Sequence, residues 1–331
     1  MEILSTSETD LEKAAEALKA GLLVAFPTET VYGLGADAFN TSALARVFQA
    51  KNRPSFDPLI IHIAEQDALS KIADTSALNE NTKKLLSILI EKLWPGPLTL
   101  ILPKLPNVPD LATAGLGTAA IRFPSHPVAQ KLIRLSIGAV AAPSANLFGC
   151  LSPTRAGHVK DQLGERVDLI IDGGRTRFGL ESTVLDLSHE HPRILRPGGT
   201  AREAIEALIG PVELSTRPNP NPAGGTPALL SPGQLKSHYA PRTPLILHKM
   251  GELAMIPEDP MEGRLYFSRP AHCSPNSKVL SQNGDLCEAA ANLFDMLHEL
   301  DSLGLKLIRT EEVPEQGLGT AINDRLRRAA E

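Results

Sequence analysis

Residues 22–35 read LLVAFPTETVYGLG, and this stretch decides the predicted fold. It opens with five apolar residues, 22–26, a run short enough to be a buried strand rather than a helix. The turn-rich segment that follows, 27–35, places two hydroxyls and a carboxylate just past the strand. Open α/β sheets bind ligands at strand ends and in the loops that leave them. The stretch therefore predicts a polar site built on the end of a strand.

The next predicted elements are a helix at 41–50 and an apolar strand at 59–63. Pro54 stops the helix after two cations, Lys51 and Arg53. Cations at a helix C-terminus can simply relieve the helix dipole. They can also face the hydroxyls across a binding site, and the sequence favours neither interpretation.

Length and composition limit the class of protein. A chain of 331 residues exceeds one ordinary core, so two domains are expected. Hydrophobic residues make up 42%, and no apolar run is long enough to cross a bilayer, which favours a soluble protein without a membrane partner. The acidic N-terminal region does not resemble a signal or transit peptide, so we expect a cytoplasmic protein.

Cysteine usage and charge exclude further classes. Cys150, Cys273 and Cys287 lie far apart, which suits a reducing compartment and excludes a disulfide framework or a thiolate zinc site. The formal net charge of −5 predicts no strong non-specific hold on nucleic acid. Any bound anion must therefore meet local cations.

Strands and helices interleave along the chain, which predicts an α/β fold. The predicted strands before residue 212 continue at 98–102, 118–123, 137–142, 167–171, 183–187 and 193–195, with helices at 11–20, 79–93, 126–135, 154–163 and 201–209. Pro, Asn and Gly then dominate, so we expect a catalytic domain at 1–211, a linker at 212–243 and a small α/β domain at 244–331. In the last, the predicted strands lie at 245–247, 265–267 and 305–308, with helices at 286–300 and 323–330.

Familiar nucleotide and nucleophile motifs are missing from the sequence. It contains no GxxxxGK[ST], which excludes a P-loop. GLGTAA at 115–120 imitates a dinucleotide fingerprint, but a strand rather than a helix is predicted to follow it. No Ser-His-Asp spacing or thiol–histidine pair stands out.

Scattered cations and hydroxyls together indicate a polyanion site without a covalent nucleophile. These side chains are Lys51, Arg53, Arg122, Arg196, Thr30, Ser144 and Ser182. Phosphate chemistry fits them, because it needs positioning and charge neutralisation more than bond-making side chains. Simpler alternatives stay open: Ser144 and Asn146 can satisfy their own turn, and His62 can be a core residue.

An ordered series of motifs resembles a known family. The motifs are PTETVYGL (27–34), KNRP (51–54), WPGPLT (94–99), PSAN (143–146), SPT (152–154), DGG (172–174) and EST (181–183). The chain closely resembles the YrdC-like threonylcarbamoyl-AMP synthases. SPG (231–233), HYAP (238–241), GLG (317–319) and DRL (324–326) are similar to the long, two-domain form. Gln234 departs from the family, which often has Met or Thr there.

The resemblance implies a YrdC-like twisted mixed sheet with flanking helices, plus a smaller Rossmann-like α/β domain. It implies a nucleotidyltransferase, L-threonylcarbamoyladenylate synthase, which joins L-threonine, bicarbonate and ATP and releases pyrophosphate. Mg²⁺ is implied for the triphosphate. The product would feed a separate transferase system that installs threonylcarbamoyladenosine in tRNA.

Site residues follow from the resemblance, position by position. Threonine is expected at Thr30, His62, Arg122, Ala142 and Ser182. ATP is expected at Lys51, Arg53, Asp57, Thr118, Ser144, Asn146, Ser152, Arg196 and Tyr239. Among these, Lys51 and Arg53 are the expected catalytic residues, Lys51 and Asn146 are expected near the phosphates and metal, and no dedicated metal ligand is predicted. The linker that carries Tyr239 is the expected lid.

Two other functions stay in consideration. One is a double-stranded RNA-binding module, supported by Arg325, Arg327 and Arg328 on the last predicted helix and opposed by the net acidity. The other is a carbamoyl transferase, whose relatives carry zinc-finger and acylphosphatase-like extensions that this sequence lacks.

Overall fold

The structure, a computed structural model, describes residues 1–215, 229–231 and 238–331. Most of the predicted linker, with Pro232, Gly233 and Gln234, lies outside the described residues.

Strands and helices alternate through both halves of the chain, as the sequence predicts. The strands of the described part are β1 (Glu2–Leu4), β2 (Val24–Phe26), β3 (Gly33–Asp37), β4 (Ile60–Ile63), β5 (Leu98–Pro103), β6 (Thr118–Arg122), β7 (Ala139–Ala141), β8 (Leu169–Ile171), β9 (Thr183–Asp186), β10 (Arg193–Arg196), β11 (Glu213–Leu214), β12 (Leu245–His248), β13 (Glu262–Tyr266), β14 (Ser277–Val279) and β15 (Leu307–Glu311). The α-helices are α1 (Glu8–Lys19), α2 (Thr41–Lys51), α3 (Glu80–Leu93), α4 (Asp110–Thr113), α5 (Pro127–Leu135), α6 (Ala156–Leu163), α7 (Arg202–Ile209), α8 (Leu286–Asp301) and α9 (Gly319–Ala329). Short 3-10 helices lie at Gln66–Lys71, Thr75–Ala77, Gly164–Arg166 and Leu253–Met255.

The first eleven strands form one mixed sheet in the order β1-β8-β2-β3-β7-β4-β6-β5-β9-β10-β11. Apolar clusters cover it, with Leu44 and Val47 of α2 in one and Leu11 and Leu18 of α1 in another. Its centre brings polar residues together, because β4 and β6 run parallel with His62 opposite Arg122. The predicted mixed α/β sheet is confirmed.

The segment predicted to be turn-rich at 27–35 is shorter than expected, because β3 begins inside it at Gly33. Glycines concealed this strand, since strands usually favour branched and aromatic residues. Packing requires one of them: a Cβ at Gly35 would come within 2.8 Å of Phe26 Cε1 and 3.1 Å of the Val24 carbonyl oxygen.

A second sheet lies in the C-terminal region, with its four strands in the order β12-β15-β13-β14 and all neighbours parallel. This agrees with the predicted small Rossmann-like unit. Several details of the prediction were wrong: β13 begins three residues earlier than expected, β15 begins two residues later, α9 begins four residues earlier, and β14 was missed. β14 has the sequence SKV, which is too short and too polar to predict a strand.

The two sheets meet through charged contacts rather than through apolar packing alone. Asp295 on α8 accepts hydrogen bonds from Arg155 Nε at 2.6 Å and Nη2 at 2.8 Å. Arg175 Nε lies 3.4 Å from the same carboxylate. β11, inside the predicted linker, pairs with β10 and so belongs to the large sheet.

None of the helices in the described ranges has the length and apolar character that a membrane span requires.

Candidate active site

A cavity opens beside the ends of β4, β6 and β7, where the sequence predicts a polyanion site. All five residues predicted to meet threonine line it: Thr30, His62, Arg122, Ala142 and Ser182. Six of the predicted ATP residues line it as well: Lys51, Arg53, Ser144, Asn146, Arg196 and Tyr239. Four cations from distant parts of the chain therefore share one cavity.

The end of α2 places Lys51 and Arg53. Asn40 caps the start of the helix, where its side chain accepts from the Ser42 and Ala43 amides, and Asn52 caps the end in the left-handed region with φ 53°. Lys51, only 1% exposed, donates from Nζ to the carbonyl oxygens of Ser144 and Asn146, both at 2.5 Å. Burial, and next the nearby Arg53, lower the pKa of the Lys51 ammonium well below its ordinary value. A bound anion would oppose both effects.

Arg53 is held from behind by a buried carboxylate. Its Nη2 lies 2.9 Å from Asp57 Oδ2 and donates to the Pro58 carbonyl at 2.8 Å. Burial lowers the pKa of Arg53 and raises the pKa of Asp57, and each partner opposes the shift of the other. Asp57 therefore orients the guanidinium.

Arg122 and His62 lie at the other end of the cavity. Arg122 donates from Nη2 to Glu29 Oε1 at 2.7 Å and from Nε to the Gly96 carbonyl at 3.4 Å. His62 Nδ1 lies 3.2 Å from the Ile60 carbonyl oxygen, which can only accept, so that nitrogen carries the proton. Burial, helped by Arg122, lowers the pKa of His62 to about 3. The ring is neutral at neutral pH.

Arg196 and Ser182 form the third wall of the site. Arg196 donates to the Ser182 carbonyl from Nη2 at 2.9 Å and from Nε at 3.2 Å. The Ser182 hydroxyl lies 2.7 Å from Thr99 Oγ1 and accepts from Arg196 Nη2 at 3.2 Å. Burial lowers the pKa of Arg196.

The C-terminal region reaches the cavity through Arg325 on α9. Arg325, 1% exposed, donates from Nε to Glu181 Oε2 at 2.8 Å, and its guanidinium lies 4.8 Å from the centre of the Tyr239 ring. Ser152 donates to the other oxygen of Glu181. Burial alone would raise the pKa of Glu181, but Arg325 and Arg196 outweigh it and leave that pKa lowered.

Three predicted ATP residues do not line the cavity. Asp57 lies behind Arg53, and Ser152 lies behind Glu181. Thr118 is the first residue of β6 and pairs with Pro103, whereas Arg122, which lines the cavity, is the last residue of β6. Their predicted contact with ATP stays a prediction.

The motifs assign no contact with threonine or ATP to Glu29, Glu181 or Arg325, although all three occur inside motifs quoted for the resemblance. A signal was available for the first two, because each is a carboxylate beside a predicted site hydroxyl. Arg325 is predicted instead to lie on a basic RNA-binding face. It is buried, while Arg327 pairs with Glu312 and Arg328 with Asp324.

Asn146 fits the implied Mg²⁺ better than any cluster of acids does. Across residues 1–215, 229–231 and 238–331, no group of three His, Cys, Asp or Glu side chains could hold a metal ion. Asn146 Nδ2 donates to the carbonyl oxygens of Leu147 at 2.7 Å and Cys150 at 2.9 Å, which fixes the amide. Its Oδ1 is then a buried acceptor without a hydrogen-bond partner among the described residues. Amide oxygen is a ligand that Mg²⁺ accepts.

The mixed sheet and the cation-lined cavity together define a class, an α/β protein built to bind anions. Comparisons with known proteins narrow that class. The Sua5/YciO/YrdC family, described as telomere recombination, matches residues 16–198, and the family described as threonylcarbamoyl-AMP synthase, C-terminal domain, matches residues 200–331.

Full-length relatives and a solved structure agree with the family matches. A threonylcarbamoyl-AMP synthase of Pyrococcus abyssi is 41% identical, over 98% of this chain and 94% of its own. One of Bacillus subtilis is 42% identical, over 99% and 94%. The crystal structure of P. abyssi Sua5 complexed with L-threonine matches with a TM-score of 0.89 at 38% identity, over 100% of this chain and 98% of that one. The chain belongs to the threonylcarbamoyl-AMP synthase family, in its long form, as the motifs predict.

Proposed function

We propose that this chain is an L-threonylcarbamoyladenylate synthase, an enzyme that joins L-threonine, bicarbonate and ATP into threonylcarbamoyl-AMP and releases pyrophosphate. The names of its full-length relatives confirm the predicted activity. The observation that carries the proposal is the convergence of Lys51, Arg53, Arg122 and Arg196 on one cavity.

The reaction needs those cations for an electrostatic reason. Carbamate formation on threonine creates a carboxylate that must approach the α-phosphate of ATP, anion against anion. Fixed positive charges in a site shielded from water offset this repulsion without reorganising. Lys51, Arg53 and Arg196 would neutralise the phosphates and the departing pyrophosphate. No side chain needs to act as a nucleophile.

Threonine would occupy the end of the cavity at Arg122. The Nη1 of Arg122 has no hydrogen-bond partner in the described part of the chain, so it can donate to the amino-acid carboxylate. Neutral His62 can accept a hydrogen bond from the substrate through Nε2, because its Nδ1 is already bonded. Thr30, Ser182 and the backbone of Ala142 complete this subsite.

ATP would occupy the end at Lys51, with Asp57 and Ser152 acting through the residues they hold. Mg²⁺, carried by the triphosphate and held by Asn146, would supply further neutralisation of the phosphate charge. The segment that carries Tyr239 would close over the reactants. Its support is that Tyr239 is buried in the cavity wall and that Ala240 donates to the Gly149 carbonyl at 2.9 Å. Closure protects carbamate and adenylate from water.

The wider setting is also part of the proposal. The product would pass to a separate transferase that modifies tRNA, in the cytoplasm. Direct binding of RNA stays a prediction, which a filter-binding titration against salt concentration would test.

The deciding experiment measures pyrophosphate release from ATP by the full chain and identifies the adenylate by mass spectrometry. We expect release only when both threonine and bicarbonate are present, together with a stoichiometric amount of threonylcarbamoyl-AMP. Turnover that ignores threonine would reject the proposed function. An equal rate with a carbamoyl donor in place of bicarbonate would favour the carbamoyl transferase.

A further inference from the structure

Glu29 is a buried carboxylate behind the threonine end of the cavity, with one of its two oxygens unused. It lies between Thr28 and Thr30, which both line the cavity, but it is not itself a lining residue and is 4% exposed. Its Oε1 accepts from Arg122 at 2.7 Å. Its Oε2 is buried and has no hydrogen-bond partner among the residues described.

An unpaired buried carboxylate oxygen destabilises the fold, because it has lost its hydrogen bonds to water without replacing them. Such an atom in a binding site indicates that a ligand supplies the missing donor. An ionised carboxylate only accepts hydrogen bonds, so the partner must be a donor, and a cationic donor is favoured most.

The substrate carries such a donor in the right place. When the carboxylate of an α-amino acid binds the free Nη1 of Arg122, its ammonium group is only one carbon away from that carboxylate. Glu29 bonds the neighbouring nitrogen, Nη2, of the same guanidinium. An ammonium group on the Nη2 side of Arg122 would therefore approach Glu29 Oε2.

The titratable groups that do line the cavity are poorer proton acceptors. Both oxygens of Glu181 are taken, by Ser152 and Arg325. His62 has a pKa of about 3, too low to hold a proton at neutral pH. Lys51 already donates to two carbonyl oxygens.

We propose that Glu29 is a further catalytic residue, which binds the ammonium group of threonine through Oε2 and takes the proton that the nitrogen must lose. This inference rests on the proposed function. The N–H bond breaks, its electron pair stays on nitrogen, and the proton moves to Glu29. The neutral amine then attacks the carbon of bicarbonate, a C–N bond forms, and the C–OH bond breaks. The leaving hydroxide takes a second proton from nitrogen and departs as water, and Glu29 later returns its proton to solvent.

Two titratable groups face Glu29: Arg122 on β6 and His126 just before α5. Burial lowers the pKa of His126, although Glu29 opposes this, so the ring is neutral at neutral pH. Arg122 is therefore the charged partner beside Glu29.

The test is Glu29→Gln, because glutamine keeps an oxygen for Arg122 but cannot take a proton. We expect the forward rate at pH 7 to fall at least tenfold, with the KM for ATP within about twofold of wild type. The deficit should shrink as pH rises through the ammonium pKa of free threonine, which lies above the roughly 8 of a chain N-terminus, because the amine then loses its proton to solvent. The reverse reaction, pyrophosphate plus threonylcarbamoyl-AMP giving ATP and the carbamate, deprotonates no ammonium group and should keep its wild-type rate.

Glu65→Gln is the matched control, since Glu65 also faces an arginine, Arg134, at 3.6 Å but on the exposed surface. It should behave as wild type in both directions. Equal loss of the forward and reverse rates in Glu29→Gln would overturn the proposal and leave Glu29 as a support for Arg122 alone.

The pH dependence of the wild-type rates in the two directions provides a second test. Its forward rate should depend on pH in a way that its reverse rate does not, because only the forward direction removes a proton from the ammonium group. Identical pH profiles in the two directions would equally reject a proton-accepting Glu29. A wild type that makes no threonylcarbamoyl-AMP at all would instead reject the proposed function.

Discussion

Buried cations occur both in the cavity and in the C-terminal sheet, and their surroundings differ. In the C-terminal sheet, Arg264 donates to the carbonyl oxygens of Leu253 at 3.0 Å, Ile256 at 2.8 Å and Pro257 at 2.6 Å. Within 244–331, no buried side-chain nitrogen or oxygen lacks a partner. Around the cavity, Glu29 Oε2, Asn146 Oδ1, His238 Nδ1 and both carboxylate oxygens of Asp57 have no hydrogen-bond partner within the described ranges.

This difference distinguishes buried polar groups that stabilise the fold from those that remain available to a ligand. A buried group whose hydrogen bonds are all made within the protein stabilises the fold and has nothing left for a ligand. A group left incomplete reduces stability by about 1–3 kcal/mol and is retained where a ligand completes it. Burial alone would not have distinguished Arg264 from Arg53, since both are below 9% exposed.

Arg325 lies on α9 of the C-terminal region and contacts residues of the cavity wall. Arg325→Ala is expected to reduce the free energy of unfolding more than the other substitutions do. It leaves Glu181 buried without its main partner, which should reduce the free energy of unfolding by about 3–5 kcal/mol. Turnover should fall too, because Tyr239 loses the guanidinium against its ring. Urea unfolding and the synthesis assay measure the two effects.

Arg327→Ala, two residues along the same helix, is the control, because its pairs with Glu312 and Glu315 are half exposed. The pH dependence adds a further check. The pKa of Glu181 is lower in the folded state, so the unfolded chain binds more protons in acid. The contribution of Glu181 is present above its unfolded pKa and is lost as pH falls through the folded value. Arg325→Ala should flatten this slope, and an unchanged slope would contradict the assignment.

Arg264→Met tests the structural side of the comparison. The three carbonyl oxygens lose their donor, so the free energy of unfolding should fall by about 2–4 kcal/mol. The kcat of the folded enzyme should not change, because Arg264 lies outside the cavity. Denaturation and steady-state kinetics on one preparation decide this, and a lower kcat with normal stability would erase the distinction.

Lys51→Ala and Arg53→Ala test the functional side. Each should lower turnover at least tenfold, about 1.4 kcal/mol of transition-state stabilisation. Arg46→Ala is the matched control, since Arg46 is also a cation of α2 but pairs with Asp168 at 2.8 Å outside the cavity. Near-normal kinetics for both site variants would show that Lys51 and Arg53 only relieve the dipole at the C-terminus of α2.

An exposed ion pair is expected to show the smallest change in the free energy of unfolding. Arg202 and Glu206, four residues apart on α7, lie 2.8 Å apart with side chains 45% and 29% exposed. Arg202→Ala should reduce the free energy of unfolding by about 0.5 kcal/mol or less, and added salt should remove the difference. A loss above about 1 kcal/mol would mean that exposure is a poor guide to the energy of a pair.

Sequence patterns predict those elements whose structure depends on interactions between residues close together in the chain. The helix at Thr41–Lys51 was predicted closely, because its apolar spacing and Pro54 act within a few residues. β3 was hidden, because its glycines are selected by the approach of Phe26 from another strand.

The α/β class, the family and the cations of the site can be predicted from the amino-acid sequence, because apolar periodicity and ordered motifs are local features of the chain. Which charged groups have all their hydrogen bonds made within the protein, and which do not, depends on the folded chain. Glu29 meets Arg122 across 93 residues and Glu181 meets Arg325 across 144, and neither separation carries a local signal. Pairing at such distances is fixed by sheet register and by the packing of α9, so the role of a buried charge can be read only after the chain has folded.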